Sequence, residues 1–413
     1  MIYTRELVAA PEHIALAREA AEKSMVLLKN EGAVLPFKKP VSRVLVLGKL
    51  ARQANTGDHG SSWVHPPYVI TPLEGLRRYL GEGVEVIHYD ETQIEAARQM
   101  AARVDCVIIV AGCDFNDEGE FLTPENSDET IRIVAAGYRN MGQWLKGLVV
   151  KVLSPLIAKA MKRQNGSPVG GDRRSLSLKA EQGRLIREVG GINPNTVVSL
   201  VGGSMILIEG WADHVPALLY SWYGGMEGGS ALARLLFGDV NPSGKLPFTI
   251  PTRADHLPYF SSTDREITYG LYHGYTLLDK NGLRPAYPFG FGLCYTSYAY
   301  SDLRVAARAD RLDVRVKVSN TGSRDGEDVV QVYVGLPGTR VERQKKLLKG
   351  FEKVTIPAGS TAEVALSIPL DDSRYYDEQE HAWRLEPGDY QVMAGSSSDE
   401  AALLKTVLTL SAA

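Results

Sequence analysis

VDCVIIVAG, Val104 to Gly112, is a short run of β-branched and small apolar residues carrying one charge near its start. Such a run reads as a strand buried on both faces, which a parallel sheet covered by helices requires. CDFNDEGEFLTPEN, Cys113 to Asn126, follows at once and crowds Asp114, Asp117, Glu118, Glu120 and Glu125 around Gly119. Open α/β sheets place ligand-binding groups at the carboxyl ends of their strands. These acids are therefore candidates for proton transfer or metal binding, beside the plainer readings of a helix cap or a solvated loop.

Working outward, strand and helix patterns alternate. RVLVLGKLA, EVIHYD, TVVSLVGGS and ALLYSWYGG read as further strands, separated by helical stretches such as ETQIEAARQMAARV and, near the start, ALAREAAEKSMVLLKN. Alternation at this spacing predicts an α/β/α sandwich with a mostly parallel sheet over residues 1–260. Between Pro247 and Pro288 the pattern dissolves into Pro, Gly and Tyr, so residues 261–297 are expected to be a linker wrapping the surface. From Tyr298 the period is two, in LDVRVKVSN, DVVQVYVGL, AEVALSIPL and DYQVMAGSS, with turn residues between. Residues 298–413 are expected to form a small all-β sandwich.

One segment breaks the alternation. An insertion over 125–168 holds TIRIVAAGYRNMGQWLKGLVVKVLSPLIAKAMKRQN, residues 130–165. Helical spacing puts Val149, Val150, Leu153, Leu156, Ile157, Ala160 and Met161 on one face and Lys151, Lys159 and Lys162 on the other, with a kink at Pro155. Packing on its own sheet is the preferred reading; a lid, a partner-docking helix and a membrane-surface helix are the alternatives.

Composition bounds the function classes. A chain of 413 residues, 44% hydrophobic, is large enough for more than one core. A formal charge of -3 and the lack of a Lys/Arg run argue against a nucleic-acid partner. The 3 cysteines, Cys106, Cys113 and Cys294, have no metal-type or redox-type spacing, so a disulfide framework is not expected. The N-terminus lacks the apolar core of a secretory signal and no apolar segment reaches about 18 residues, which points to a cytoplasmic protein without a membrane span. No cofactor and no metal are expected: His256 and His273 lack partners at ligand spacing, and GKLARQANTGDHG holds no G-x-G-x-x-G.

Several stretches together carry a family resemblance. EAAEKSMVLLKNEGAVLPF, GDHGSSWVHPPYVITPLEGL, GGDRRSLSL, INPNTVVSLVGGS, WYGGMEGGSALARLLFGDVNPSGKLPFTIP, YPFGFGLCYTSYAYSDL, VSNTGSRDGEDVVQVYV, KKLLKGFEKV and LEPGDYQVMAGSSSD resemble glycoside hydrolase family 3, the β-glucosidases and related exo-acting glycosidases. The resemblance runs nearly end to end. It is to the second part of such enzymes, the α/β sandwich domain and the fibronectin type III-like domain after it.

The resemblance implies a retaining β-glycosidase acting on a β-linked oligosaccharide or glycoside. In the family a TIM barrel supplies the nucleophilic Asp, and the sandwich supplies the acid/base Glu from a loop with an EG or GEG context ahead of DR. NDEGEF followed by GGDRRSLSL is similar to that arrangement, making Glu118 and Glu120 the catalytic candidates. Glu118-Gly119 reproduces the EG pair and is preferred. Retention needs two carboxyls about 5–5.5 Å apart. This chain offers one, so the resemblance implies a barrel from elsewhere, either a separate TIM-barrel chain as partner or the rest of an enzyme of which this is a truncated product or gene fragment, and the isolated chain is expected to be inactive. By the same resemblance GDHGSSW leans toward the sugar, with Asp58, His59, Ser61 and Ser62 as substrate contacts. Asp172 and Arg173 read as a structural pair, and Glu227 as a cap on SALARLLFG. The competing reading is a non-catalytic carbohydrate- or protein-binding module derived from such an enzyme.

Overall fold

In the computed structural model, which describes residues 7–57, 64–119, 173, 175–261 and 264–411, strands form where the continuous apolar runs lie. β1 (Val26–Asn30), β2 (Arg43–Leu47), β3 (Glu85–Tyr89), β4 (Cys106–Gly112), β5 (Thr196–Val201) and β6 (Ala217–Tyr220) make a 6-stranded sheet in the order β1-β6-β5-β4-β2-β3. Adjacent strands from β2 to β6 pair in parallel. Their alternate side chains feed two cores: Val44, Val46, Ile108 and Val110 face one layer, and Leu45, Leu47, Val107 and Ile109 the other.

Helices cover both faces. α1 (Pro11–Ser24), α2 (Pro72–Leu80), α3 (Ile94–Ala101), the single turn α4 (Phe115–Glu118), α5 (Ala180–Val189) and α6 (Gly228–Leu236) follow in chain order. α1, α2 and α6 bury Ala21, Leu76 and Leu232 in the first core, while α3 and α5 bury Ala97 and Ile186 in the second. The start of α2 is written in TPLE: Thr71 Oγ1 accepts the Glu74 N–H at 3.3 Å, and Pro72 opens the first turn.

MVLLKN corrects the sequence reading, which runs it into the first helix. α1 ends at Ser24, and Val26–Asn30 pairs antiparallel with β6, Val26 opposite Tyr220. Four consecutive apolar residues leave a helix no polar face, whereas a strand sends Leu27 into one core and Val26 and Leu28 into the other. The sheet is therefore mixed, with one antiparallel edge.

The stretch read as a linker carries local structure of its own. β7 (Ile250–Pro251) pairs with β8 (Pro285–Tyr287), and GYTLLDKN forms α7 (Gly274–Asn281), ended by Gly282 in the left-handed region. Tyr275 and Phe289 from this stretch pack on the buried Tyr333, Met393 and Leu403 of the following sandwich.

That sandwich is all antiparallel. β9 (Tyr298–Ala307), β10 (Arg311–Asn320) and β13 (Thr361–Pro369) form one sheet, ordered β13-β10-β9. β11 (Gly326–Gly335), β12 (Leu347–Ile356), β16 (Gly388–Gly395) and β17 (Leu404–Leu410) form the other, ordered β12-β11-β16-β17, with the hairpin β14 (Tyr375–Asp377) and β15 (Ala382–Arg384) beside them. Val314, Val316, Val318, Val330, Val332 and Val392 fill the space between, as the period-two pattern requires. Ion pairs tie the two units together, Lys245 Nζ to Asp328 Oδ1 at 2.8 Å and Lys23 to Glu327 at 3.2 Å, while Lys353 of β12 holds Glu327 from within the sandwich at 3.1 Å. Among the described residues no helix is long and apolar enough to cross a membrane.

Candidate active site

β2 has β3 on one side and β4 on the other, so the strand order reverses between β2 and β4. The crevice outside the carboxyl ends of those strands is where such sheets bind ligands. The acidic stretch after β4 stands there.

Gly112 closes β4 at φ 137°, and a Cβ on it would lie 1.9 Å from the carbonyl oxygen of Val201. Only glycine lets the chain leave β4 this close to the end of β5. Asp114 then caps α4: its Oδ1 accepts the Asn116 N–H at 3.0 Å, and Asp117 Oδ2 accepts the Asp114 N–H at 3.0 Å. The other Asp114 oxygen accepts from Gln53 Nε2 at 3.0 Å, across the crevice. Burial alone would raise the Asp114 pKa, but the Gln53 and Asn116 donors outweigh it and hold the carboxyl below its ordinary value. Asp117 Oδ1 pairs with Lys179 Nζ at 2.7 Å. The acids at 114 and 117 thus build the turn.

Glu118 ends that turn with its side chain turned inward, 10% exposed. Its Oε1 lies 3.2 Å from Arg173 Nε and accepts the Ser204 hydroxyl at 3.4 Å. Its Oε2 accepts the Gly203 N–H at 2.6 Å and the Tyr223 hydroxyl at 2.5 Å. Arg173, 8% exposed, also donates through Nη2 to Ser204 Oγ at 2.6 Å and to the Met205 carbonyl at 2.5 Å, while its Nη1 lies 3.5 Å from Cys113 Sγ. Tyr220 donates to the Ser204 carbonyl oxygen, holding the same loop from below.

Burial first, and the hydrogen bond to Glu118 second, push the Tyr223 hydroxyl far above its ordinary pKa, so it stays a donor. Tyr220 is pushed up in the same direction by burial and then by Glu118. Burial, with Glu118 next, raises the Cys113 thiol to about 11. Between the two tyrosines Trp222 sits at φ 57°, a strained setting for an aromatic residue; its ring lies 4.3 Å from that of Tyr220 and its Nε1 donates to the Ser24 carbonyl at 2.8 Å.

The carboxyl ends of β4, β5 and β6 therefore converge on one carboxylate. The sequence reading couples Arg173 to Asp172, which lies outside the described residues; Arg173 pairs with Glu118. It misses Gly203, Ser204 and Tyr223, although VGGS and SWYGG mark them as strand-end residues. Glu227 sits at the N-cap position of α6 without a side-chain cap; its Oε1 accepts the Tyr68 hydroxyl at 2.7 Å. Glu120, Asp58, His59, Ser61 and Ser62, with the basic stretch 130–165, lie outside the described residues. Beside the 58–63 segment Val64 and Tyr68 are exposed. Arg173 and Ser204 also border an open cavity of about 1150 Å³ walled by Phe248, Tyr259, Phe260 and Tyr269.

Comparison with known proteins places the chain in a family. A family model described as the glycosyl hydrolase family 3 C-terminal domain matches residues 25–295, and one described as a fibronectin type III-like domain matches residues 328–398. The chain is 32% identical over 414 residues to thermostable beta-glucosidase B of Acetivibrio thermocellus, covering 96% of this chain and 48% of that protein. It is 30% identical over 413 residues to a beta-xylosidase of Formosa agariphila, covering 96% of this chain and 50% of the other. The crystal structure of the Bifidobacterium adolescentis GH3 beta-glucosidase matches with a TM-score of 0.76 at 30% identity, over 97% of this chain and 53% of that one. The chain spans about half the length of the curated relatives it matches. It belongs to glycoside hydrolase family 3.

Proposed function

We propose that this chain is the C-terminal part of a β-glycosidase, β-glucosidase-like, which hydrolyses O-glycosyl bonds with retention and takes its general acid/base from the loop after β4, at Glu118 or Glu120. One observation carries the reading: in a family 3 chain, the acidic loop at the carboxyl end of β4 stands beside the point where the strand order reverses. A carboxyl there protonates the departing glycosidic oxygen, and as carboxylate then deprotonates the water that attacks the glycosyl-enzyme. The nucleophile comes from a TIM-barrel domain working with this chain. Asp58, His59, Ser61 and Ser62 add contacts to the β-linked sugar. The same reading divides the chain into a sandwich over 1–260, a connecting stretch over 261–297 and a fibronectin type III-like domain over 298–413.

The test is hydrolysis of an aryl β-glucoside by this chain with and without a barrel domain. Turnover only with the barrel, abolished when Glu118 and Glu120 are both replaced by Ala, is the expected result. Turnover by the chain alone, or turnover that survives the double replacement, would overturn the proposal.

A further inference from the structure

We infer that Glu118 is a positioning residue and not the proton donor: its carboxylate clamps the end of α4 to the ends of β5 and β6. The inference rests on the glycosidase reading above and narrows its choice between the two candidate carboxyls named there.

A general acid must hold a proton and turn it outward to the leaving oxygen. Glu118 does the reverse. Both oxygens point inward, toward Arg173 Nε, the Ser204 hydroxyl, the Gly203 N–H and the Tyr223 hydroxyl. Among the described residues all four of these groups are placed to donate to it, as an ionised carboxylate requires. The other ionisable groups close by are Cys113, Tyr220 and the Asp117–Lys179 pair; Tyr220 is committed to the Ser204 carbonyl, and Asp117 to Lys179 and the Asp114 N–H. Swinging the carboxylate out would strand the guanidinium of Arg173, which is 8% exposed, and leaving a buried charge unpaired is costly. The clamp is also supported from behind, since Ser204 is held by Arg173 and by Tyr220. An anchored side chain whose partners are themselves anchored suits a part that fixes where another group stands.

The experiment compares Glu118→Gln, Tyr223→Phe and Glu120→Ala in the enzyme assembled with its barrel domain, using aryl β-glucosides of good and poor leaving groups, with and without azide. For Glu118→Gln the expected result is a kcat lower by about 10–100-fold, the usual scale for groups that orient a reacting residue. The loss should be the same for every leaving group, with KM within about twofold, no azide rescue, and the alkaline limb of the pH profile retained. Tyr223→Phe, which removes one donor and no charge, should show the same pattern on a smaller scale. Azide rescue of Glu118→Gln, or loss confined to poor leaving groups, would make Glu118 the acid and overturn the inference while leaving the glycosidase reading intact. Unchanged kcat in both Glu118→Gln and Tyr223→Phe would also overturn it. If Glu120→Ala and Glu118→Gln both leave turnover untouched, the acid is not on this loop and the glycosidase reading itself fails.

Discussion

Gly75 of α2 and Gly229 of α6 meet backbone to backbone: a Cβ on Gly75 would lie 2.1 Å from the Gly229 carbonyl. The helices cross this closely because neither has a side chain at the crossing. Gly75→Ala must push them apart and is expected to cost about 3 kcal/mol, the upper end for overpacking. Gly83→Ala, with nothing within 4 Å, serves as the control and should be neutral or slightly stabilising. Urea unfolding midpoints at unchanged slope decide it; equal effects at the two sites would discount the crossing.

Lys346 is fully buried, with its Nζ 2.5 Å from Asp279 Oδ2 on α7 and 4.0 Å from Glu400 Oε1. The two partners are not equivalent, because Asp279 keeps 21% exposure and the lysine keeps none. Asp279→Asn leaves a buried ammonium poorly paired and should destabilise by about 3–5 kcal/mol. Lys346→Met removes the charge and lets Asp279 rehydrate, so its loss should be smaller. The opposite ranking in denaturant titrations would show that the aspartate, not the lysine, is the dependent partner.

Burial pushes the Cys106 thiol up to about 12 and the Cys113 thiol to about 11, and raises Cys294 as well. Thiolate, the reactive form, is scarce at pH 8 in all of them. An aromatic disulfide reagent should therefore find no fast-reacting thiol in the native chain and 3 after denaturation. Rapid reaction of one equivalent without unfolding would contradict the burial described above.

Acid should loosen specific joints. The backbone N–H groups of Arg43 and Ser42 hold Asp105 below its ordinary value of 3.8. For Glu327, burial works upward, but the hydrogen bonds from Lys353 and Lys23 outweigh it and the net displacement is also downward. A depressed folded pKa means that the stabilisation is fully present above the unfolded value and is lost as pH falls through the folded one. Stability should thus decline below about pH 4. Asp105→Asn and Glu327→Gln should each flatten that decline, measured as unfolding free energy against pH. If both variants keep the wild-type slope, other carboxyls govern it.

Much of this architecture could be read in advance, for identifiable reasons. VDCVIIVAG and its neighbours bury both faces, and continuous β-branched runs of that length leave little alternative to a parallel strand. β1 was harder, because four apolar residues directly after an amphipathic helix continue its pattern until their lack of a polar face is noticed. The acids marked the carboxyl end of β4, and the capping reading suits Asp114 and Asp117. The partners of Glu118 were hidden: Arg173 follows a long insertion, and Gly203 and Tyr223 become neighbours only through the order β6-β5-β4. Adjacency of strand ends is a property of topology, which local pattern does not carry.

The antiparallel edge of the main sheet has a consequence for the order of events in the cell. Val26–Asn30 forms its ladder with Ala217–Tyr220, with one further bridge from Leu27 to Leu293, so during synthesis this strand lacks that ladder until nearly two hundred further residues have emerged. At about 5–20 residues per second that is a wait on the order of ten to forty seconds, with Leu27 and Leu28 uncovered. The nascent chain is therefore most open to mispairing and to chaperone capture before Tyr220 leaves the ribosome, and arresting translation on either side of that residue should separate a protease-sensitive sheet from a resistant one.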